Sequence, residues 1–177
     1  MQEVAVDTLR EASKGDDSAF RRLYEHYAPV VWRQVVRMAQ GDEELAAQIT
    51  QDVFVRVHAG LRRFDGRSAF STWLFRIAYN RAMTVLTRRQ RQRRRTVPLH
   101  DEIPGREDTG RLEAREIVQR LLAPLSPDER FLLVAREVDG VPFEELATIT
   151  GRKPGALRTQ LSRLKRALRE GGDDVGE

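Results

Sequence analysis

The sequence predicts an all-α protein of two small helical domains joined by a flexible linker, and three observations carry that prediction. Apolar residues recur at three- and four-residue spacing through most of the chain, the mark of helices with one buried stripe. No alternating strand pattern or Asn-Gly hairpin interrupts them. Midway, the periodicity gives way to Pro98, Pro104, Gly105 and Gly110 among scattered acids, the composition of a linker. The boundaries that follow are a first domain over residues 1–92, a linker over 93–111, a second domain over 112–172 and a tail at 173–177.

The first helix is predicted to start at an Asp17-Ser18 N-cap and to bury Phe20, Leu23, Tyr24 and Tyr27 on one face. Pro29 lacks a backbone donor, so a break or kink is expected before the pattern continues from Val31 to Met38. After Gly41-Asp42 a second stripe runs through Leu45, Ile49, Val53, Phe54 and Val57, with a C-terminal cap expected near Gly60. A third helix carries Phe70, Trp73, Leu74 and Ile77 inward, and the arginine tract of residues 88–95 extends it by a turn or two. Three such helices can cover one another's apolar faces.

Periodicity resumes at Leu112, Ile117, Leu121 and Leu122. Ser126-Pro127-Asp128-Glu129 then combines a capping-box serine and glutamate with proline at the first helical position, a strong start signal for a helix carrying Phe131, Leu132, Val134 and Ala135. That helix is expected to break at Asp139-Gly140. A short helix follows around Phe143 to Ile149, then a turn at Gly151, then a last helix from Pro154 to about Glu170 with Leu157, Leu161, Leu164 and Leu168 inward.

Composition narrows the function classes. The chain has 177 residues, no cysteine and a net charge of +4, with a sequence pI near 9.9. Cysteine-ligated zinc and disulfide frameworks are excluded, and a basic balance suits an anionic partner. No apolar run approaches the roughly 18 residues of a membrane span, and the start has no signal-peptide pattern, which predicts a soluble, cytoplasmic protein without membrane insertion. His26, His58 and His100 are scattered, and Walker A, Gly-x-Gly-x-x-Gly and Gly-x-Ser-x-Gly sequences are missing. No catalytic residue, cofactor or metal site is expected.

Two constellations point to DNA instead. The Glu145-Leu146-Ala147 segment, the Gly151 turn and Ala156-Leu157 with Leu161 form the packing pattern of a helix-turn-helix, whose second helix lies in the major groove. Arg152, Lys153, Arg158, Thr159, Gln160, Ser162 and Arg163 are then left outside, where arginine and glutamine can reach base edges and hydroxyls can reach phosphates. On the third helix, Thr72, Phe75, Arg76 and Tyr79 lie largely opposite the core side, with Asn80 on the flank. Aromatic rings among arginine and amide groups suit stacked single-stranded bases, and the loop from Phe64 to Ser68 could wall a pocket for an extruded base. Core packing of Phe75 and Tyr79 is the competing reading.

These residues resemble a known family. Residues 64–80, Phe-Asp-Gly-Arg-Ser-Ala-Phe-Ser-Thr-Trp-Leu-Phe-Arg-Ile-Ala-Tyr-Asn, look like the minus-ten-recognising segment of bacterial RNA polymerase sigma factors of the small extracytoplasmic-function (ECF) group. Gln51-Asp52-Val53-Phe54 matches that family's polymerase-binding helix, and residues 121–168 resemble its fourth conserved region. The resemblance implies docking on the polymerase core through Gln48, Gln51, Asp52 and Phe54. It implies capture of a flipped base of the downstream single strand by Phe64, Ser68, Thr72, Phe75, Arg76, Tyr79 and Asn80, and reading of upstream duplex by residues 152–163. It also implies promoter DNA as ligand and an anti-sigma factor as partner. Two departures stand out: Ala47 and Gln48 replace the usual acidic pair, and Gly155-Ala156-Leu157-Arg158-Thr159-Gln160 replaces a common Gly-Thr-Val-Lys-Ser-Arg run. A helix-turn-helix repressor or activator independent of polymerase is the alternative; a helical nuclease is a third reading that lacks a candidate site.

Overall fold

The computed structural model describes residues 3–95 and 122–172. Among them are seven α-helices, one short 3-10 turn at Leu61–Arg63 and no strand: α1 (Val6–Ser13), α2 (Asp17–Met38), α3 (Glu43–Gly60), α4 (Phe70–Arg95), α5 (Pro127–Glu137), α6 (Phe143–Thr150) and α7 (Pro154–Gly172). The expected stretches at Pro98–Gly110 and at Leu112, Ile117 and Leu121 lie outside the described residues. No helix among the described residues is long and apolar enough to cross a membrane.

Helix starts follow local chemistry. The cap of α2 is Asp16 rather than Asp17: its carboxylate accepts from the Ala19 amide at 2.7 Å and the Ser18 hydroxyl at 2.8 Å. Those bonds, the Ala19 amide foremost, hold its carboxyl below the usual range. Asp42 caps α3 through the Leu45 amide at 2.9 Å, and an acid from the start of the chain reaches α4, where Glu3 accepts from the Ser71 amide at 3.2 Å. The capping box of α5 is complete, with the Ser126 amide donating to Glu129 Oε2 at 2.8 Å and the Glu129 amide to Ser126 Oγ at 3.3 Å.

Three local expectations are corrected. The break at Pro29 does not occur, because α2 runs unbroken through it; the ring sits on the exposed side while Tyr27, Ala28 and Val31 are buried around it, so packing outweighs the missing donor. Gly60 is no left-handed cap, since its φ is −92°; a side chain there would instead meet the Trp73 ring at 3.2 Å. The helix α1 was not anticipated, and its one buried residue is Ala12.

The amino-terminal helices enclose Leu23, Tyr27, Val31 and Val35 of α2, Ile49, Val53 and Val57 of α3, and Phe70 and Leu74 of α4. Tyr27 is fully buried against Phe70, and its hydroxyl accepts from the Val4 amide at 3.4 Å. Burial pushes its phenol from 10.0 up to about 12. A raised folded value favours the neutral ring, so this contribution to stability is full below pH 10 and is lost as the pH climbs towards 12. Denaturant unfolding at pH 8 and pH 11 is expected to show a smaller loss of stability for Tyr27→Phe than for the parent; equal losses would refute this assignment.

In the carboxy-terminal half, α6 stops at Gly151, whose φ of 73° is the left-handed conformation glycine adopts without strain. Leu146, Leu157, Leu161 and Leu164 close the core of α5, α6 and α7. The two halves are packed together. The α4 helix touches α2 and α3 on one side and α5 and α6 on the other, and α2 also meets α5. Gln34 donates to Asp139 at 2.6 Å, Gln40 to the Ala123 carbonyl at 3.1 Å, and the Tyr79 and Phe131 rings lie 4.7 Å apart.

Candidate nucleic-acid and polymerase interfaces

The α3 helix presents a polar stripe of Gln48 and Gln51 to solvent, continued one turn on by Val55, which is 63% exposed. Asp52, expected beside them as a docking group, is half-buried and accepts from Arg81 Nε of α4 at 2.7 Å. Phe54 is core, 4% exposed with its ring edge-on to Tyr24 at 4.8 Å, so it shapes the helix from within instead of offering a contact. Val55 was missed by the sequence reading. The signal was available: a valine three and four residues beyond Asp52 and Gln51 interrupts an otherwise polar face.

Around α4 the structure differs most from expectation. Thr72, Phe75 and Tyr79, placed on an outward face by periodicity, are 7%, 5% and 9% exposed. The reason is a second buried side, formed by the carboxy-terminal helices. Thr72 Oγ1 donates to Glu145 of α6 at 3.2 Å, and the Tyr79 hydroxyl donates to Asp128 of α5 at 2.6 Å. Burial, reinforced by that carboxylate, pushes the Tyr79 phenol above its ordinary range. Arg76 and Asn80 remain exposed on the flank.

The loop ahead of α4 turns at Gly66 with φ of 70°, and Asp65 Oδ1 accepts from the Arg67 amide at 3.1 Å. Phe64 is half-buried, 5.6 Å from the Phe70 ring and 5.2 Å from Trp73. Ser68, near the end of the same loop, is half-buried as well. This aromatic base fixes where the loop sits, so any base accommodated there would meet a pre-set wall.

In the helix-turn-helix, Leu157 and Leu161 turn inward as expected, whereas Ala156 faces solvent. Ala156 therefore lies on the outward face with Lys153, Thr159, Ser162 and Arg163, and it lines a groove with Leu125, Glu129 and Gly155. Arg158 is exposed but oriented, bonded to Glu144 at 2.7 Å and 5.1 Å from the centre of the Phe143 ring. Arg152 and Gln160 are half-buried, and both donate to Asp128 Oδ2, at 2.8 Å and 3.2 Å. Asp128 and Glu145 were legible only as acids in the first turns of their helices; what they hold comes from residues at least 24 positions away. Among the described residues no cluster of three or more histidine and acidic side chains could hold a metal ion.

Comparison with known proteins places these elements. The Sigma-70 region 2 family matches residues 23–92, and Sigma-70, region 4 matches residues 115–168. The ECF RNA polymerase sigma-E factor of Escherichia coli (strain K12) is 30% identical over 173 residues, covering 90% of each chain. RNA polymerase sigma-H factor of Pseudomonas aeruginosa is 29% identical, covering 94% of this chain and 93% of its own. Among solved structures, the fold is similar to a chain in the structure of CnrH in complex with the cytosolic domain of CnrY. The TM-score is 0.70 at 24% identity, over 96% of this chain and 97% of that one. It is equally similar, with a TM-score of 0.70 at 21% identity over 89% of this chain and 98% of that one, to a chain of the co-crystal structure of the sigma factor RpoE with the anti-sigma factor NepR from Bartonella quintana.

Proposed function

The chain belongs to the ECF sigma factors of bacterial RNA polymerase, and from that premise we propose how its surfaces divide the work of promoter recognition. A sigma factor directs the polymerase to promoters and helps open them, while the polymerase performs the chemistry; this chain is not an enzyme. In the proposed division, Gln48, Gln51 and Val55 of α3 dock on the polymerase core. The loop of residues 64–68, with Arg76, Tyr79 and Asn80 of α4, takes a base from the downstream single strand. Arg152, Lys153, Arg158, Thr159, Ser162 and Arg163 of α7 contact the upstream duplex, with Gln160 reading a base edge. Residues 1–92 and 112–172 act as the two contacting domains, and linkage makes the second contact a local event after the first.

The observation that carries this reading is the pairing, in one chain, of a helix-turn-helix with an outward basic face and an α4 helix that bears exposed Arg76 and Asn80 and is preceded by the loop packed through Phe64. A repressor needs only the first of these. Arg81 holding Asp52 ties the proposed docking helix to the proposed single-strand helix, so the two are positioned together. With no acidic pair at Ala47 and Gln48, the acids of α3 are Glu43 and Glu44 in its first turn and Asp52, which Arg81 holds. The site of action is the cytoplasm, where the polymerase is. A protein inhibitor of the anti-sigma class is a proposed partner, in line with the Bartonella quintana sigma factor of similar fold that was solved with one.

The test is multi-round transcription with bacterial core polymerase on a library of random promoters, followed by sequencing of the transcripts. Chain-dependent starts preceded by two short motifs at fixed spacing are expected. With Asn80→Ala, preference at one downstream position should relax by about 5- to 150-fold, the equivalent of ~1–3 kcal/mol of lost base discrimination. Unchanged preference would remove Asn80 from the pocket, and no chain-dependent starts would overturn the sigma assignment of these surfaces.

A further inference from the structure

The outward face of α7 is low at its centre and ringed by long donors. Gly155, Ala156 and Thr159 are exposed in its first two turns, with Arg152, Lys153, Arg158, Gln160 and Arg163 around them. Ala156 and Thr159 stand three residues apart on one side of the helix and line the same groove. Nothing in the fold demands so small a residue at position 155: a Cβ there would meet no atom within 4 Å, and its φ is not left-handed. A glycine inside a helix costs stability relative to alanine. What it provides is clearance, so that a partner can settle onto the floor formed by Ala156 and Thr159.

That floor has no side-chain donor to offer. Ala156 has no polar side-chain atom, and the Thr159 hydroxyl donates back to the Gly155 carbonyl at 3.0 Å, inside its own helix. Thr159 therefore meets an approaching base with its γ-methyl and without a donor. The long side chains at the rim are oriented by neighbouring acids: Arg152 and Gln160 donate to Asp128 Oδ2, and Arg158 to Glu144. Two methyl groups inside a polar rim match one feature of the major groove, the C5-methyl of thymine, which no other base carries there. Cβ atoms three residues apart on a helix are about 5–6 Å from each other, so a methyl seated between them touches both at about 3.5–4.0 Å, the optimum for carbon. An adenine or guanine edge in that position would lose water from its acceptors and gain no partner.

We propose that Ala156 and Thr159 form a methyl pair that selects thymine at one fixed position of the upstream element, by direct contact with its C5-methyl. This rests on the proposed contact of α7 with upstream duplex. The surrounding donors set the register on phosphates and neighbouring bases, and the methyl pair decides between thymine and the rest. Alanine at 156, where the run common in the resembling family has threonine, keeps a second hydroxyl off this floor.

The test uses the holoenzyme, assembled from bacterial core polymerase and the full chain. Sequencing of the promoters it selects from the random library is expected to show thymine, on one strand, at one fixed upstream position. Duplexes carrying thymine, uracil, cytosine or 5-methylcytosine at that position alone are then compared by competition binding. Thymine should bind about fourfold more tightly than uracil, and 5-methylcytosine than cytosine by the same factor, the effect of burying one methyl group. Thr159→Ser keeps the hydroxyl and removes the methyl, so both ratios should fall to about twofold; adding Ala156→Gly should bring them to about one. Circular dichroism reads whether α7 stays folded in the double variant, and where it does not, the serine variant decides. Uracil bound as tightly as thymine, ratios unchanged by Thr159→Ser, or an upstream motif without thymine would overturn the methyl pair. Selection of no upstream motif at all would overturn the contact of α7 with duplex itself, so the two failures are distinct.

Discussion

Exchanging Val55 for glutamate is expected to weaken assembly with core polymerase by about 30-fold or more while leaving the fold intact. Val55 is 63% exposed on α3 and belongs to no part of the core. Glutamate has at least the helix propensity of valine, so the helix itself loses nothing. At the centre of an interface, a newly buried and unpaired carboxylate costs its desolvation, and loss of an apolar anchor adds to it. Together these reach the hot-spot range of ~2 kcal/mol or more, about 30-fold or greater in affinity. Fluorescence anisotropy of a labelled chain titrated with core polymerase would read the change, and a thermal melt would read the fold. Gln51→Ala should weaken binding less, because a partly hydrated amide contributes less than a buried apolar group. If Val55→Glu binds core as the parent does, the docking face lies elsewhere on α2 or α3.

Much of this architecture was legible because it rests on local chemistry. Ser126, Pro127 and Glu129 announce α5 through groups three residues apart, and Gly151 announces the end of α6 through its own backbone. The inward leucines of α7 follow from spacing alone. What was not legible depends on partners far along the chain. Tyr79 meets Asp128 across 49 residues and Thr72 meets Glu145 across 73. Helical periodicity finds one buried face, whereas α4 has two, and its second face is apolar enough to be read equally well as a base-stacking platform. Pro29 shows the opposite error: a strong local rule overridden by the burial of Tyr27, Ala28 and Val31 around it. Asp52 reads as a docking acid by motif and proves to be bonded to Arg81, an attachment that no spacing within α3 could reveal.

Leu157→Ala should be the most damaging single change in the carboxy-terminal half, and its consequences have two signs. Leu157 is fully buried where α7 packs on α5 and α6, so truncation removes about 2–5 kcal/mol through lost transfer energy and an unfilled cavity. The described helices from residue 122 to 172 form a small unit, and a loss of that size is comparable with the whole stability such a unit can muster. Leu23, Tyr27, Val53 and Leu74 share one continuous apolar core with Leu157, but they lie on α2, α3 and α4, which also pack on one another, and that part should survive. Helicity followed by circular dichroism is therefore expected to fall in two steps on heating, where the parent falls in one. Upstream specificity should vanish in the transcription assay, since α7 no longer holds Arg158 and Arg163 in register. Single-stranded DNA binding by the free chain should rise, because melting α5 and α6 uncovers Thr72, Phe75 and Tyr79. A purely destructive mutation would lower every activity at once; a rise in one as the other falls is the result expected only if the carboxy-terminal helices are both a reader of duplex and a cover for α4. A single melting step with unchanged upstream preference would refute the first role, and a fall in single-strand binding would refute the second.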